Sequence, residues 1–364
     1  MLDLDKVIVQ FETQGSIQEC VPLGKGHIHD TYCVRTSGRD NPDYLLQRVN
    51  NKVFAHVPEM MDNIERITHH IRQKLKNIPG SKIHREVMTV IPTSRGNNYY
   101  IDAEDQFWRM FLFINDSYSI DKAENEHQAN EAGKALGKFQ RLLADFPQQV
   151  LFETIPDFHH IKKRLRKFNK VINLDPLGRA EALSEEIRFI IRRREEMSLI
   201  YNLGRAGFIP QRVTHNDTKL NNLLFDEHGK ALTWVDLDTV MPGYVHYDFG
   251  DAIRTLANTA MEDESDLGRV SFHFPYYKSF TLGYLEEVSG VLTPIELIHL
   301  AFSSKLMTFI MGLRFLTDFI EGDVYYKIEQ PEHNLVRARN QFKLLQEMEN
   351  AYEDMKQTVE TSFS

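Results

Sequence analysis

The sequence predicts an α+β protein in two lobes, residues 1–114 rich in strands and residues 115–364 mainly helical. Short apolar runs punctuated by Gly, Asp, Asn and Pro fill the first third, the pattern of strands joined by turns. Beyond Asn115 apolar residues recur at helical spacing. The length of 364 residues also exceeds what one hydrophobic core organises, about 250–300 residues.

The elements follow in order. Residues 1 to 14 carry Leu4, Val7, Ile8 and Phe11 on one stripe and are expected to be helical. Glu19–Leu23 and Thr31–Arg35 read as strands around the loop Gly24-Lys25-Gly26-His27-Ile28-His29-Asp30, whose glycines let backbone approach a ligand. Tyr44–Val49 is a third strand, with Gln47 on one face and Arg48 on the other. Residues 58 to 76 form a helix with Met60, Ile64, Ile67, Ile71 and Leu75 inward and Pro58 in the first turn. Its Glu65 could meet a cation across the cleft or simply face solvent. Strands are expected at 87–92, 97–102 and 106–114, the last ending at Asn115-Asp116-Ser117. Helices are expected at 122–146, 184–203, 266–289, 293–320 and 333–358, with another starting at Tyr247-Asp248-Phe249-Gly250-Asp251. There Asp248 and Asp251 could cap the helix or brace a neighbouring loop.

The stretch Thr214–Asp236 organises the chain. A polar cluster (His215, Asp217, Lys219, Asn222) precedes two apolar runs joined by a turn at Gly229-Lys230, which predicts a loop feeding a β-hairpin. A pivot at Gly229 would set Asn222 opposite Asp236. Their oxygens would suit Mg²⁺, a hard ion held by few protein groups plus substrate phosphates. Asp217, five residues before Asn222, could approach a substrate hydroxyl beside that metal.

The order His-x-Asp-x-Lys-x-x-Asn, with a second Asp 19 residues after the first, resembles the catalytic loop and metal Asp of the protein-kinase-like superfamily. The resemblance implies a bilobal kinase-like fold, with Asp217 as base, Lys219 on the γ-phosphate, and Asn222 and Asp236 as Mg²⁺ ligands. It implies that Gly24, Gly26 and His27 lie over the phosphates of ATP. Gln47 or Arg48 stands where protein kinases keep a lysine, and Phe113 lies at the strand end resembling the adenine-binding hinge. Asn216 replaces the usual Arg, and Asp236 lies in V-D-L-D-T rather than D-F-G, as in small-molecule kinases related to aminoglycoside phosphotransferases and choline kinases. Asp248-Phe249-Gly250 falls 31 residues after Asp217, too far for that motif. About a dozen residues between Asp236 and Asp248 leave no room for a peptide-binding activation segment.

Bulk properties narrow the partners. A net charge of −9 argues against nucleic acid and anionic membranes, which need a basic surface. Cys20 and Cys33 form no disulfide framework or zinc set, and no run approaches 18 apolar residues, so a cytoplasmic protein is expected.

A closer resemblance spans residues 24 to 325. G-x-G-H-I-x-D-T-Y at 24–32, L-Q-R-V-N at 46–50, H-N-D-T-K-L-N-N, D-L-D-T-V-M-P-G, Y-D-F-G-D and R-F-L-T-D-F-I-E-G-D-V-Y at 314–325 are similar to the N-acetylhexosamine 1-kinases. That resemblance implies ATP-dependent phosphorylation of the anomeric hydroxyl of GlcNAc or GalNAc. Arg314 and Tyr325 would line the sugar pocket, and Asp217 and Asp236 would also reach sugar hydroxyls. Kinases for choline, homoserine, methylthioribose or aminoglycosides are the alternatives within the class. A weak nucleotide-binding pseudokinase is the alternative outside it, motivated by the missing third-strand lysine.

Overall fold

The computed structural model describes residues 4–24, 28–38 and 40–362. Six antiparallel strands form the N-terminal sheet: β1 (Ile17–Pro22), β2 (Asp30–Thr36), β3 (Tyr44–Val49), β4 (Val90–Ile91), β5 (Tyr100–Ile101) and β6 (Phe107–Leu112), in the order β1-β2-β3-β6-β4, with β5 also on β6. Alternation along these strands gives two apolar faces. Val34, Tyr44, Leu46, Trp108 and Met110 pack with Val7, Ile8 and Phe11 on one side. Val49 and Phe111 join Met60, Ile64 and Ile67 of the helix Val57–Leu75 on the other. The helix Leu4–Ile8 is shorter than the stripe suggests, because Phe11 bridges Thr93 and the Glu12 amide donates to Pro92. Those sheet-side partners compete with further helical hydrogen bonds.

Between Leu112 and Ser117 the chain leaves this sheet. β7 (Ser117–Tyr118) pairs instead with β9 (Leu223–Asp226), which pairs with β10 (Ala231–Trp234), while β8 (Arg212–Thr214) pairs with β11 (Met241–Gly243). Helices make up the rest, led by Glu126–Leu142, Val245–Leu256, Phe274–Val288, Leu300–Glu321 and His333–Asn350. Leu300–Glu321 has the length and hydropathy of a membrane span, yet 89% of its apolar stretch is buried within the protein. It is the core rod of this lobe. Four helices expected to be continuous are broken, at 194–198, at 270–273, at His299 and at Ala351. The helix Ile161–Leu174 is not signalled by the sequence pattern. It buries only Ile161, Phe168 and Val171 beneath a basic surface, too sparse a stripe to stand out.

Close helix contacts depend on glycine. A Cβ on Gly133 would lie 2.0 Å from the Phe280 carbonyl, and one on Gly250 would lie 2.2 Å from that of Ser303. Asn63 ties the sheet-side helix to the helical lobe. Its amide donates to the carbonyls of Phe152 (2.8 Å) and Val240 (2.9 Å) and accepts from the Phe152 amide (2.9 Å).

Candidate active site

The polar loop after β8 is held from behind by a buried carboxylate. Asp248, in the helix Val245–Leu256, accepts the backbone N–H groups of His215 (3.0 Å) and Asn216 (2.7 Å) and an amide hydrogen of Gln140 (3.2 Å). Its backbone carbonyl receives the Thr218 hydroxyl at 2.6 Å. Asn216 takes a left-handed φ of 65°, which Asn tolerates better than most residues, and its amide donates to Thr239. The His215 ring donates Nε2–H to the Val235 carbonyl at 2.9 Å. With His215, Asn216, Thr218 and Leu220 buried, Asp217 and Lys219 are the two loop side chains that reach the cleft.

Asp217, Lys219 and Asn222 converge. Asn222 Nδ2 donates to the Asp217 carbonyl (2.9 Å) and to Asp217 Oδ2 (3.0 Å), and Lys219 Nζ stands 3.2 Å from that same Oδ2. Burial pushes the Asp217 carboxyl up, but Lys219, His215 and the hydrogen bonds from Lys219 and Asn222 outweigh it and hold the group below the usual carboxylate range. It is therefore ionised at neutral pH. With Nδ2 engaged, Asn222 keeps its amide oxygen for another partner.

The hairpin differs from the expected register by one residue. Phe225 pairs Ala231, but a bulge then makes Leu224 pair Thr233 and Leu223 pair Trp234, so the Asn222 carbonyl receives Val235 N–H at 2.8 Å. Asp236 thus lies one step past Asn222's partner. Its own left-handed φ of 61° turns it off the strand. The turn itself is fastened by Asp226 Oδ1, which accepts the amides of His228 and Lys230. Burial, together with repulsion from Asp238 and Asp217, raises the Asp236 carboxyl to about 6. A divalent cation would relieve that repulsion. The open oxygen of Asn222 and the Asp236 carboxylate are a hard donor pair fitting such an ion.

Asp238 is not free to join them. Arg109 grips it bidentately at 2.5 and 3.0 Å, and His29 Nε2–H donates to it at 2.6 Å, while His29 Nδ1 accepts the Asn50 amide at 3.0 Å. The cluster His29, Asp236 and Asp238 therefore offers one available ligand rather than three. Arg109 is 1% exposed and sits on β6 opposite Gln47, whose Oε1 accepts from Arg109 Nε at 2.9 Å. Of the two third-strand candidates, Gln47 shares this inward row. Arg48 occupies the opposite face and pairs with Asp30, away from the row that carries Arg109. Glu65 makes no ion pair among the described residues, and Asp238 takes the carboxylate place suggested for it. Gly24 sits at the end of β1 with φ 67° and open space around it. Gly26 and His27 lie outside the described residues. Phe113 is half-buried, and its amide already donates to the Asp43 carbonyl at 2.9 Å, which removes that donor from any adenine contact.

The helix Leu300–Glu321 supplies the other wall. Arg314 is 8% exposed, with its guanidinium carbon 4.9, 5.7 and 5.5 Å from the ring centres of Phe158, Tyr325 and Tyr326. Among the described residues its only hydrogen bond runs to the Met311 sulfur. Asp318, one turn further, explains the loop that follows: its carboxylate accepts the amides of Val324 (3.1 Å), Tyr325 (2.8 Å) and Tyr326 (3.0 Å). The loop thereby brings Tyr325 back beside Arg314, with most of its own ring still exposed. Burial disfavours the Arg314 charge, but Tyr326, Tyr325, Asp251 and Asp217 outweigh it, which places this wall and the reactive loop within electrostatic reach. Arg109, Asp238, Phe158 and Tyr326 were missed in the sequence; only the second Asp of V-D-L-D-T was a visible hint. Two cavities, of about 450 and 420 Å³, lie beside this cluster and include neither Asp217 nor Asp236. Converging chemistry locates the site better than volume does.

Comparison with known proteins places the chain in a family. The family model of the phosphotransferase enzyme family matches residues 19–273. The chain belongs to this family. An aminoglycoside phosphotransferase from Alicyclobacillus acidocaldarius is 10% identical, with a TM-score of 0.65 over 99% of this chain and 97% of that one. The choline kinase of Cryptosporidium parvum is 15% identical, with a TM-score of 0.58 over 94% and 92%. The spectinomycin phosphotransferase APH(9)-Ia, in complex with ADP and spectinomycin, is 12% identical, with a TM-score of 0.58 over 96% and 97%. These likenesses establish the bilobal kinase-like fold, a sheet lobe followed by a mainly helical one, and this phosphotransferase is kinase-like in architecture.

Proposed function

We propose that this phosphotransferase moves the γ-phosphoryl group of ATP to the anomeric hydroxyl of an N-acetylhexosamine, GlcNAc or GalNAc, giving the sugar 1-phosphate. The ionised Asp217, steadied by Asn222 and Lys219, accepts the proton of the attacking hydroxyl. Lys219, whose ammonium Asp217 and Asp236 favour, meets charge on the transferring group. Asn222 and Asp236 would hold Mg²⁺, which when bound neutralises phosphate charge. Gln47 and the loop at Gly24 face the nucleotide side, and Arg314 and Tyr325 the sugar. The observation that carries the acceptor class is Arg314, a buried cation with spare donors among aromatic rings. It suits a neutral, hydroxyl-rich acceptor with an apolar face and repels choline or a polycationic aminoglycoside. The resemblance of residues 24–325 to the N-acetylhexosamine 1-kinases supports the same reading.

The test is an ADP-release screen with ATP and Mg²⁺ over GlcNAc, GalNAc, neutral hexoses, choline and kanamycin. N-acetylated sugars should turn over best, and Asp217→Asn should lower kcat by about 10²- to 10⁴-fold, the usual worth of a positioned base. Preferential turnover of choline or kanamycin would reject the acceptor, and equal rates in wild type and variant would reject Asp217 as base.

A further inference from the structure

A second arginine stands beside Arg314. Arg164, on the helix Ile161–Leu174, donates from Nε (3.3 Å) and a terminal nitrogen (2.8 Å) to the Phe158 carbonyl, while Arg314 lies over the ring of that same Phe158. Phe158 is thus clasped by both guanidiniums, one through its backbone and one through its ring.

Two neighbouring cations need counter-charge, and the nearby carboxylates are engaged elsewhere. Asp217 pairs with Lys219, Asp251 with Arg254, Glu262 with Arg254, and Asp157 with Lys163. Neither Arg164 nor Arg314 makes an ion pair among the described residues. Burial above all, and after it the charge of Arg314, pull the Arg164 guanidinium down to about 10. Yet, among the described residues, the second terminal nitrogen of Arg164, and Nε and one terminal nitrogen of Arg314, have no hydrogen-bond partner and are not sealed from solvent. These donors are what the protein leaves over for a ligand.

We infer that Arg164 and Arg314 together form a carbonyl-binding subsite that receives the acylamido oxygen of the acceptor and excludes a sugar bearing a free ammonium in its place. This rests on the sugar-kinase reading above. A guanidinium fork donates well to an amide oxygen, and Phe158 and Tyr325 offer apolar surface for the attached methyl group. An ammonium there has no acceptor to meet and confronts two like charges. Arg164 is then a specificity-determining residue, remote from the transferred group.

The experiment compares the 2-acetamido hexose with the same hexose carrying a free 2-amino group, at a pH where that amine is protonated, in wild type, Arg164→Gln and Arg164→Lys. Retention of the ATP-induced rise in Tm certifies that each variant is folded. Wild type should favour the acetamido sugar in kcat/KM by about a hundredfold, the scale of a lost hydrogen bond plus a like-charge contact. Arg164→Gln should shrink that ratio about tenfold through the KM of the acetamido sugar, leaving the KM of ATP in place, and Arg164→Lys should restore part of it. An unchanged ratio in both folded variants, with acetamido sugar still phosphorylated, overturns the subsite and leaves the sugar-kinase reading standing. No turnover of either hexose by wild type sinks both.

Discussion

Asp217 depends on a residue that never meets the cleft. Asp248 is fully buried and accepts the amides of His215 and Asn216, so it dictates the left-handed bend that swings Asp217 outward. Burial raises its carboxyl, against the pull of His215 and the hydrogen bonds it receives. Asp248→Asn would turn one acceptor into a donor facing backbone N–H groups. A loss of about 2–3 kcal/mol in urea-unfolding stability is expected, the worth of a charge-assisted hydrogen bond in a buried site. Because the bend positions the proposed base, kcat should fall at least about tenfold while the KM of ATP moves little. A destabilised variant with unaltered kcat would reduce Asp248 to scaffolding. The cluster around Asp217 was legible in the sequence because its members lie within 20 positions of one another, where loop and hairpin geometry can be reasoned locally. The bracing role of Asp248 was one of two offered there, and its hydrogen bonds select it over helix capping.

Between elements, the deciding interaction spans the two lobes and could not be reasoned locally. Arg109 on β6 and Asp238 after β10 are 129 residues apart, both nearly inaccessible, and joined by two hydrogen bonds with His29 as third member. Strand alternation showed that Gln47 and Arg48 face opposite ways but not which face meets the cleft; the register onto Arg109 supplies that answer. The hairpin failed differently: its inner pair centres on His228 rather than Gly229, which alone would set Asn222 opposite Trp234, and a bulge at Leu232 takes back one of those two steps. Arg109→Met should destabilise by about 3–5 kcal/mol, because it leaves Asp238 buried without its main counter-charge. Adding Asp238→Asn to it should return a substantial part of that loss, since the orphaned charge is then gone. Additive losses in the double variant, measured by urea unfolding, would show that the pair is not coupled.

At the scale of the molecule, the helical lobe is packed tightly enough to shape its proton balance. Glycines at helix crossings let backbones meet, and the side chains buried in this lobe include histidines whose charged form burial disfavours. His246 is fully buried, its Nε2–H donates to the Glu296 carbonyl at 3.0 Å, and its Nδ1 has no partner among the described residues. Burial, with a smaller push from His299 and against the pull of Glu296, lowers it to about 4. The unfolded chain binds this proton near pH 6.5. A depressed folded value means the stabilisation is complete above that pH and is lost as pH falls toward 4. Between pH 7 and pH 5 this one group should remove about 2 kcal/mol. Raised carboxyls such as Asp236 act in the opposite sense as pH falls through 6, so the total curve does not isolate His246. The difference from His246→Gln does, because glutamine can keep the bond to Glu296 and cannot titrate. Wild type should lose about 2 kcal/mol more than the variant between those pH values in urea unfolding; parallel curves would mean that the imidazole gains its proton in the fold as readily as out of it.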